Sequence, residues 1–258
     1  MHRARRRPPL AVALVSALLW AAGSASAPGR AVERRIVSFP SADGTLLAGT
    51  FYDAHGIGPG VLFLTSCAGE RDEMQSLAAK LSGAGPRVLA FDYRSEGGSR
   101  VASGPKAIED ALAAYRYLIG QARVSATSIG VIAVGCSAKL AVELAAQTAN
   151  VAILGLISPE LDGVADARLA LFKSVPMLLF ASDAETDAKR LFAAGTNVQS
   201  QLTIYRRPER GMELYAREPA IKNIIDDWWE QVYGGWAQGR PLLAAPADEA
   251  RAEPKAPG

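Results

Sequence analysis

Histidine is almost absent from this chain: among 258 residues only His2 and His55 carry an imidazole. Histidine is the side chain whose ordinary pKa places proton exchange near neutrality, so the sequence holds little material for general-base chemistry. Cysteine is scarce too. Cys67 and Cys136 are the whole supply, which leaves room for one bridge at most and excludes a disulfide-dense scaffold. No apolar run reaches the roughly 20 residues that a membrane-spanning helix needs; the run over residues 10–22 stops at about 13. There is no basic stripe and no aromatic-basic alternation, which excludes a nucleic-acid partner. No internal repeat is present.

What the chain does contain is ordinary globular material, 49% apolar and 21% charged, at a length that suits one large α/β domain. Arg3, Arg5, Arg6 and Arg7 precede the apolar run, and Ser24-Ala25-Ser26-Ala27 follows it. That is the charged head, short apolar middle and small-residue cleavage site of a signal peptide. Residues 1–27 are therefore read as a leader. The expectation is export, to a periplasm or the exterior, with no membrane association after cleavage. A retained anchor is the competing reading, and the shortness of the run counts against it. The arginine pair admits a twin-arginine route, although its flanking residues fit poorly. Cleavage after Ala27 removes four arginines and no acid, turning the formal charge from +2 to −2.

Residues 32–39 and 46–52 are short β-type runs separated by Ser41-Ala42-Asp43-Gly44, whose Asp-Gly signals a tight turn; they predict an antiparallel hairpin. From residue 61 onward the pattern changes to continuous apolar runs that bracket helical stretches, as in buried parallel strands joined by crossovers. Strands are predicted at 61–64, 88–91, 129–134, 151–157, 177–181 and 202–205. Helices are predicted at 72–81, 105–119, 138–149 and 188–193. A last helix over 213–233 carries Ile221, Ile224, Ile225, Trp228, Trp229 and Val232 at helical spacing. The domain is set at residues 28–236. Residues 237–258, rich in alanine, proline and charge, are read as a disordered tail.

Four segments in this order resemble those of the α/β-hydrolase fold. Leu62-Phe63-Leu64-Thr65-Ser66-Cys67-Ala68-Gly69 is similar to the strand and glycine-rich loop that supplies one oxyanion donor. Phe91-Asp92-Tyr93-Arg94-Ser95-Glu96-Gly97-Gly98-Ser99 resembles the family's Asp-Tyr-Arg-Gly-His-Gly-x-Ser segment. Gly135-Cys136-Ser137 is similar to the nucleophile elbow, and Leu178 to Glu185 to the strand and loop that carry the acid. The resemblance implies a three-layer α/β fold with a mostly parallel eight-stranded sheet and an antiparallel N-terminal hairpin. Only 19 residues, 158–176, separate the sixth and seventh strands, so the lid is minimal. Small members of this fold resemble esterases or dienelactone hydrolases acting on modest carboxylic esters through a serine that a histidine activates and an acid orients.

Carried over position by position, the resemblance puts Ser137 in the nucleophile's place, with a helix N-cap as the plain alternative for that serine. The oxyanion donors fall on Cys67 and Ala138. The acid falls on Glu185, with Asp187 as competitor; for members that use an acid after the sixth strand, Glu160 and Asp162 are available. Lys139 occupies the second glycine of G-x-S-x-G. A helix start disfavours its charged form, but side chains two apart do not face each other, which opposes Lys139 as a replacement base. In Tyr205 to Leu214 the histidine's place is taken by Arg210. A guanidinium accepts no proton, so general-base activation, typically about 10²- to 10⁴-fold, is missing there. His55 belongs to the loop entering the bottom of the third strand, about 16 Å from the elbow for a strand of about five residues.

Arg210 has two readings: an ion pair with Glu185 or Asp187, or a fixed cation that with a helix N-terminus favours a carboxylate or phosphate. Cys67 and Cys136 follow neighbouring strands, so either a disulfide across the site mouth or two buried thiols fits; Cys136 itself stands one residue before the expected apex. No metal and no cofactor is expected, the partner is a small ester or anionic ligand, and the oligomeric state is open. The expected function is that of an exported descendant of a serine carboxylic-ester hydrolase, weakly active or inactive for want of the triad histidine, binding a small anion. The alternatives are an active ester or thioester hydrolase with a non-standard base, and a protein-interaction module suggested by the tail and Trp236.

Overall fold

The computed structural model describes residues 32–54, 56–67, 69–96, 99–100, 104–148 and 150–237. The expected leader, nearly all of the expected tail, and both histidines lie outside the described residues.

Eight strands form one sheet: β1 (Glu33–Pro40), β2 (Leu46–Asp53), β3 (Gly58–Leu64), β4 (Arg87–Phe91), β5 (Val124–Val134), β6 (Val151–Ile157), β7 (Met177–Ser182) and β8 (Gln201–Tyr205). They lie side by side in the order β1-β2-β4-β3-β5-β6-β7-β8. β2 runs antiparallel to both β1 and β4, and every other neighbouring pair is parallel. The continuous apolar runs have a direct cause, since every residue of β3, β4 and β7 is buried. Successive side chains of a strand point to opposite faces. In β3, Leu62 and Leu64 accordingly join the core under α2 (Gly104–Ile119) and α3 (Ala138–Gln147). Val61 and Phe63 join the core under α1 (Gln75–Gly83) and the C-terminal helices.

Sequence and structure part in two instructive places. The single final helix expected over 213–233 is two helices among the C-terminal residues, so the α-helices after α3 are α4 (Asp166–Leu169), α5 (Asp187–Ala194), α6 (Gly211–Arg217) and α7 (Ala220–Ala237). Pro219 is the reason: its ring excludes the preceding residue from helical geometry, and Glu218 takes φ −114°, ψ 83°. β5 is longer than expected, because Val124 and Ser125 pair with Gly58 and Pro59 of β3 before a register shift that brings Ile129 opposite Gly60. The connection after β6 holds only α4 and one 3-10 turn, Ala170–Phe172, so the lid is as small as its length implied.

The Asp-Tyr-Arg segment after β4 is structural. Arg71 pairs with Asp92. Arg94, nearly buried, reaches Asp110 of α2 at 2.9 and 2.5 Å and Ser41 Oγ at 3.0 Å. Its third contact, Asp43 at 2.5 Å, ties the β1–β2 turn to the same cluster and holds the Asp43 carboxyl well below its ordinary range.

Candidate functional site

β5 carries the chain to the carboxyl edge of the sheet, where the backbone must turn sharply into α3. Val134 is the last extended residue, at φ −125° and ψ 130°. Gly135 makes the turn at φ +59°. A 3-10 turn spans Gly135–Ser137 and α3 begins at Ala138. Left-handed backbone of this kind is disfavoured for residues with a Cβ, so the position following a strand that must bend this way selects glycine. The apex of the elbow is thus Gly135, two residues before the serine that the motif put there.

Ser137 lies inside the turn with 0% of its surface exposed. Its hydroxyl oxygen accepts the Val134 N–H at 3.1 Å. Its proton faces the carbonyl oxygens of Leu64 at 2.8 Å and Val134 at 2.9 Å. The side chain therefore fastens the end of β3 to the end of β5, and this correction changes the chemistry: a hydroxyl enclosed by backbone partners presents no oxygen to a substrate. The two expected oxyanion donors are also committed. The Ala138 N–H donates to the Gly135 carbonyl within the first turn, and the Cys67 N–H donates to Cys136 Sγ at 3.0 Å. Cys67 and Cys136 form a disulfide with Cα atoms 6.0 Å apart, which resolves the choice between bridge and free thiols.

Two side chains stand beside the apex. A Cβ on Gly135 would lie 3.7 Å from Glu160 Oε1 and 3.8 Å from Ser66 Oγ, and the Glu160 N–H donates to the Gly135 carbonyl at 3.1 Å. Two of the remaining acids have structural partners. Glu185, buried at the carboxyl end of β7, accepts the Ser182 N–H at 2.5 Å and the Ser158 hydroxyl at 3.1 Å. Asp187 opens α5, where the helix dipole favours a carboxylate, and accepts the Leu161 N–H at 2.7 Å. Asp162 is exposed.

Arg210 is exposed at the start of α6, its carbonyl accepting the Glu213 and Leu214 N–H groups at 3.1 and 3.3 Å. Among the described residues Arg210 makes no ion pair with Glu185 or Asp187, whose carboxylates meet backbone N–H groups, the Ser158 hydroxyl and Arg190. Lys139 is half-buried in the first turn of α3, and no described contact joins it to Ser137. A cavity of about 300 Å³, lined by Phe39, Ser41, Arg116 and Tyr117 among others, lies at the β1–β2 end of the sheet, away from the elbow. Among the described residues no His, Cys, Asp and Glu group is arranged to hold a metal ion, and no helix is long and apolar enough to cross a membrane.

No family model matches the chain. Two curated relatives, uncharacterised proteins of two Mycobacterium tuberculosis strains, are 32% identical over 146 residues, covering 47% of this chain and 52% of theirs. The chain thus spans about half the length of the curated relatives it matches. Solved structures reach further. An esterase of Pyrococcus furiosus superimposes with a TM-score of 0.63 at 18% identity, covering 78% of this chain and 91% of that one. A dienelactone hydrolase from Anabaena variabilis gives 0.64 at 16%, covering 78% and 98%. A thermophilic carboxylesterase cloned from a metagenomic library gives 0.61 at 18%, covering 80% and 90%. At such identities the likeness establishes architecture alone: the fold is the α/β-hydrolase fold.

Motif reading quoted Gly135 and Ser66 without placing either at the apex. The signal for Gly135 was present, since a glycine directly after the last apolar residue of a strand is the cheapest occupant of a left-handed turn. Ser66 has no such signature.

Proposed function

We propose that this chain is a non-hydrolytic member of the α/β-hydrolase fold, descended from a serine carboxylic-ester hydrolase and exported by the leader at residues 1–27. One observation carries the reading: a glycine holds the apex where an attacking oxygen belongs, while the nearby serine hydroxyl is enclosed by backbone. Two further facts support it. The Cys67 N–H is occupied by sulfur, and the histidine's place in the matching segment is Arg210, which accepts no proton. Serine and base act as a unit in such sites, so loss of either removes most of the activity, and the oxyanion donor that would sustain the remainder is committed as well.

The test is turnover of p-nitrophenyl acetate, p-nitrophenyl butyrate and an acyl thioester by the folded protein. The expected rate equals that of the Ser137→Ala variant and of unfolded protein. Saturable turnover that Ser137→Ala abolishes contradicts the proposal and favours an active hydrolase with a non-standard base. Binding of a small carboxylate is the second reading, and the exposed Arg210 guanidinium, unpaired among the described residues, favours it. Titration with acetate followed by NMR should then shift resonances around α6 in the parent protein and not in Arg210→Ala. The same shifts in both proteins contradict it.

A further inference from the structure

The bond between Cys67 and Cys136 joins the ends of two neighbouring parallel strands at the carboxyl edge of the sheet. Both residues are half-buried rather than sealed in the core, which places the bond near the surface of the fold. The two sulfurs differ in surroundings. Cys136 stands at the amino end of α3, a helix of ten residues, where the dipole favours negative charge. Its Sγ already accepts a backbone N–H, that of Cys67, at 3.0 Å, a contact that a thiolate strengthens. Cys67 lies in the turn three residues beyond β3 and does not stand at the start of an α-helix. The segments around the bond carry Lys139 on α3, Glu160 beside Gly135, and Glu70 and Glu73 between β3 and α1. The three carboxylates oppose a thiolate, whereas Lys139, the helix start and the N–H favour one at Cys136 in particular. A sulfur whose thiolate is stabilised in this way departs readily, and this is the property that separates exchangeable disulfides from structural ones.

We propose that Cys67–Cys136 is an exchangeable disulfide whose substrate is a low-molecular-weight thiol, with Cys136 as the leaving sulfur. The thiolate of the first thiol attacks Cys67 Sγ, forming a mixed disulfide; the Cys67–Cys136 bond breaks and its electron pair stays on Cys136. The thiolate of a second thiol attacks the small-molecule sulfur of that mixed disulfide, releasing Cys67. Two thiols are oxidised to one small disulfide, the protein disulfide is reduced to two thiols, and the two protons pass from the small thiols to the protein thiols through solvent. The reverse sequence uses the small disulfide as oxidant. None of this depends on ester chemistry, so it stands or falls separately from the function proposed above.

The experiment incubates the native, full-length protein in buffers of varied reduced and oxidised glutathione, quenches with acid, and counts alkylated thiols by mass. The proposal expects the two-thiol form to appear at millimolar reduced glutathione without denaturant, to revert with oxidised glutathione, and to keep its circular dichroism. It also expects trapped glutathione on Cys67. A bond that opens only once the protein is unfolded, or glutathione found on Cys136 alone, overturns it. As a second arm, Cys136 in the Cys67→Ser variant should react with an aromatic disulfide reagent at pH 7 at least tenfold faster than Cys67 in Cys136→Ser. Equal rates overturn the assignment of the leaving sulfur. If either variant fails to fold, the glutathione titration of the parent protein decides.

Discussion

Replacing Ser137 by alanine separates a structural serine from a catalytic one, because the two readings predict opposite patterns. The hydroxyl serves three backbone groups: it accepts from Val134 N–H and faces the carbonyls of Leu64 and Val134. Alanine leaves a buried N–H and at least one buried carbonyl without that partner, in a site with no solvent to replace it. Leaving such groups unsatisfied costs about 1–3 kcal/mol. For a domain of this size, each kcal/mol lowers Tm by roughly 2–4 °C, so a fall of about 2–12 °C is expected. Urea unfolding at 25 °C followed by circular dichroism measures the free energy directly; the midpoint should fall with the slope unchanged. Esterase activity should be equal in the two proteins. A stability change below about 0.5 kcal/mol, the range of an ordinary surface substitution, refutes the hydrogen-bond argument, and lost turnover refutes the structural assignment.

Three other predictions concern the frame that holds the elbow. Gly130→Ala should lower stability by about 1–3 kcal/mol, the usual cost of overpacking, because a Cβ there runs into the Trp229 ring of α7; a thermal melt detects it. Asp110→Asn should cost about 3–5 kcal/mol, since it leaves the nearly buried Arg94 without its main counter-charge; the urea midpoint reports the loss. Asp43 gives a pH signature. Arg94 first, then the Thr45 N–H, depress its folded pKa below the ordinary 3.8. Its contribution is therefore complete above the unfolded value and disappears as pH falls through the folded one. The stability gap between the parent protein and Asp43→Asn should be constant above about pH 5 and narrow toward acid; a gap that widens on acidification contradicts the ion pair.

The sheet was legible because burial on both faces leaves long apolar runs with nothing polar to interrupt them, as in β3, β4 and β7. The first half of β5 was not, since residues 124–128 are small, polar or β-branched and largely half-exposed, with no periodic signature. The break between α6 and α7 is written in Pro219, although the apolar spacing continues past it. At the site, Gly135-Cys136-Ser137 and Ala133-Val134-Gly135 both offer small residues around a turn, and one dimension cannot say which residue takes the left-handed backbone. Only the end point of β5 decides it. Strand order brought Cys67 and Cys136 together on paper, but their bonding, and the N–H it captures, required coordinates. The residues around the elbow thus have the spacing of a hydrolase motif, while Ser137 and the Cys67 N–H are held by other contacts.

The central claim is that no activated oxygen stands at the elbow, and the most direct measurement is labelling of the folded protein by a fluorophosphonate probe, read by mass spectrometry. The account predicts an unmodified protein after exposure that fully labels an active serine esterase. A phosphonyl adduct on Ser137 would contradict it.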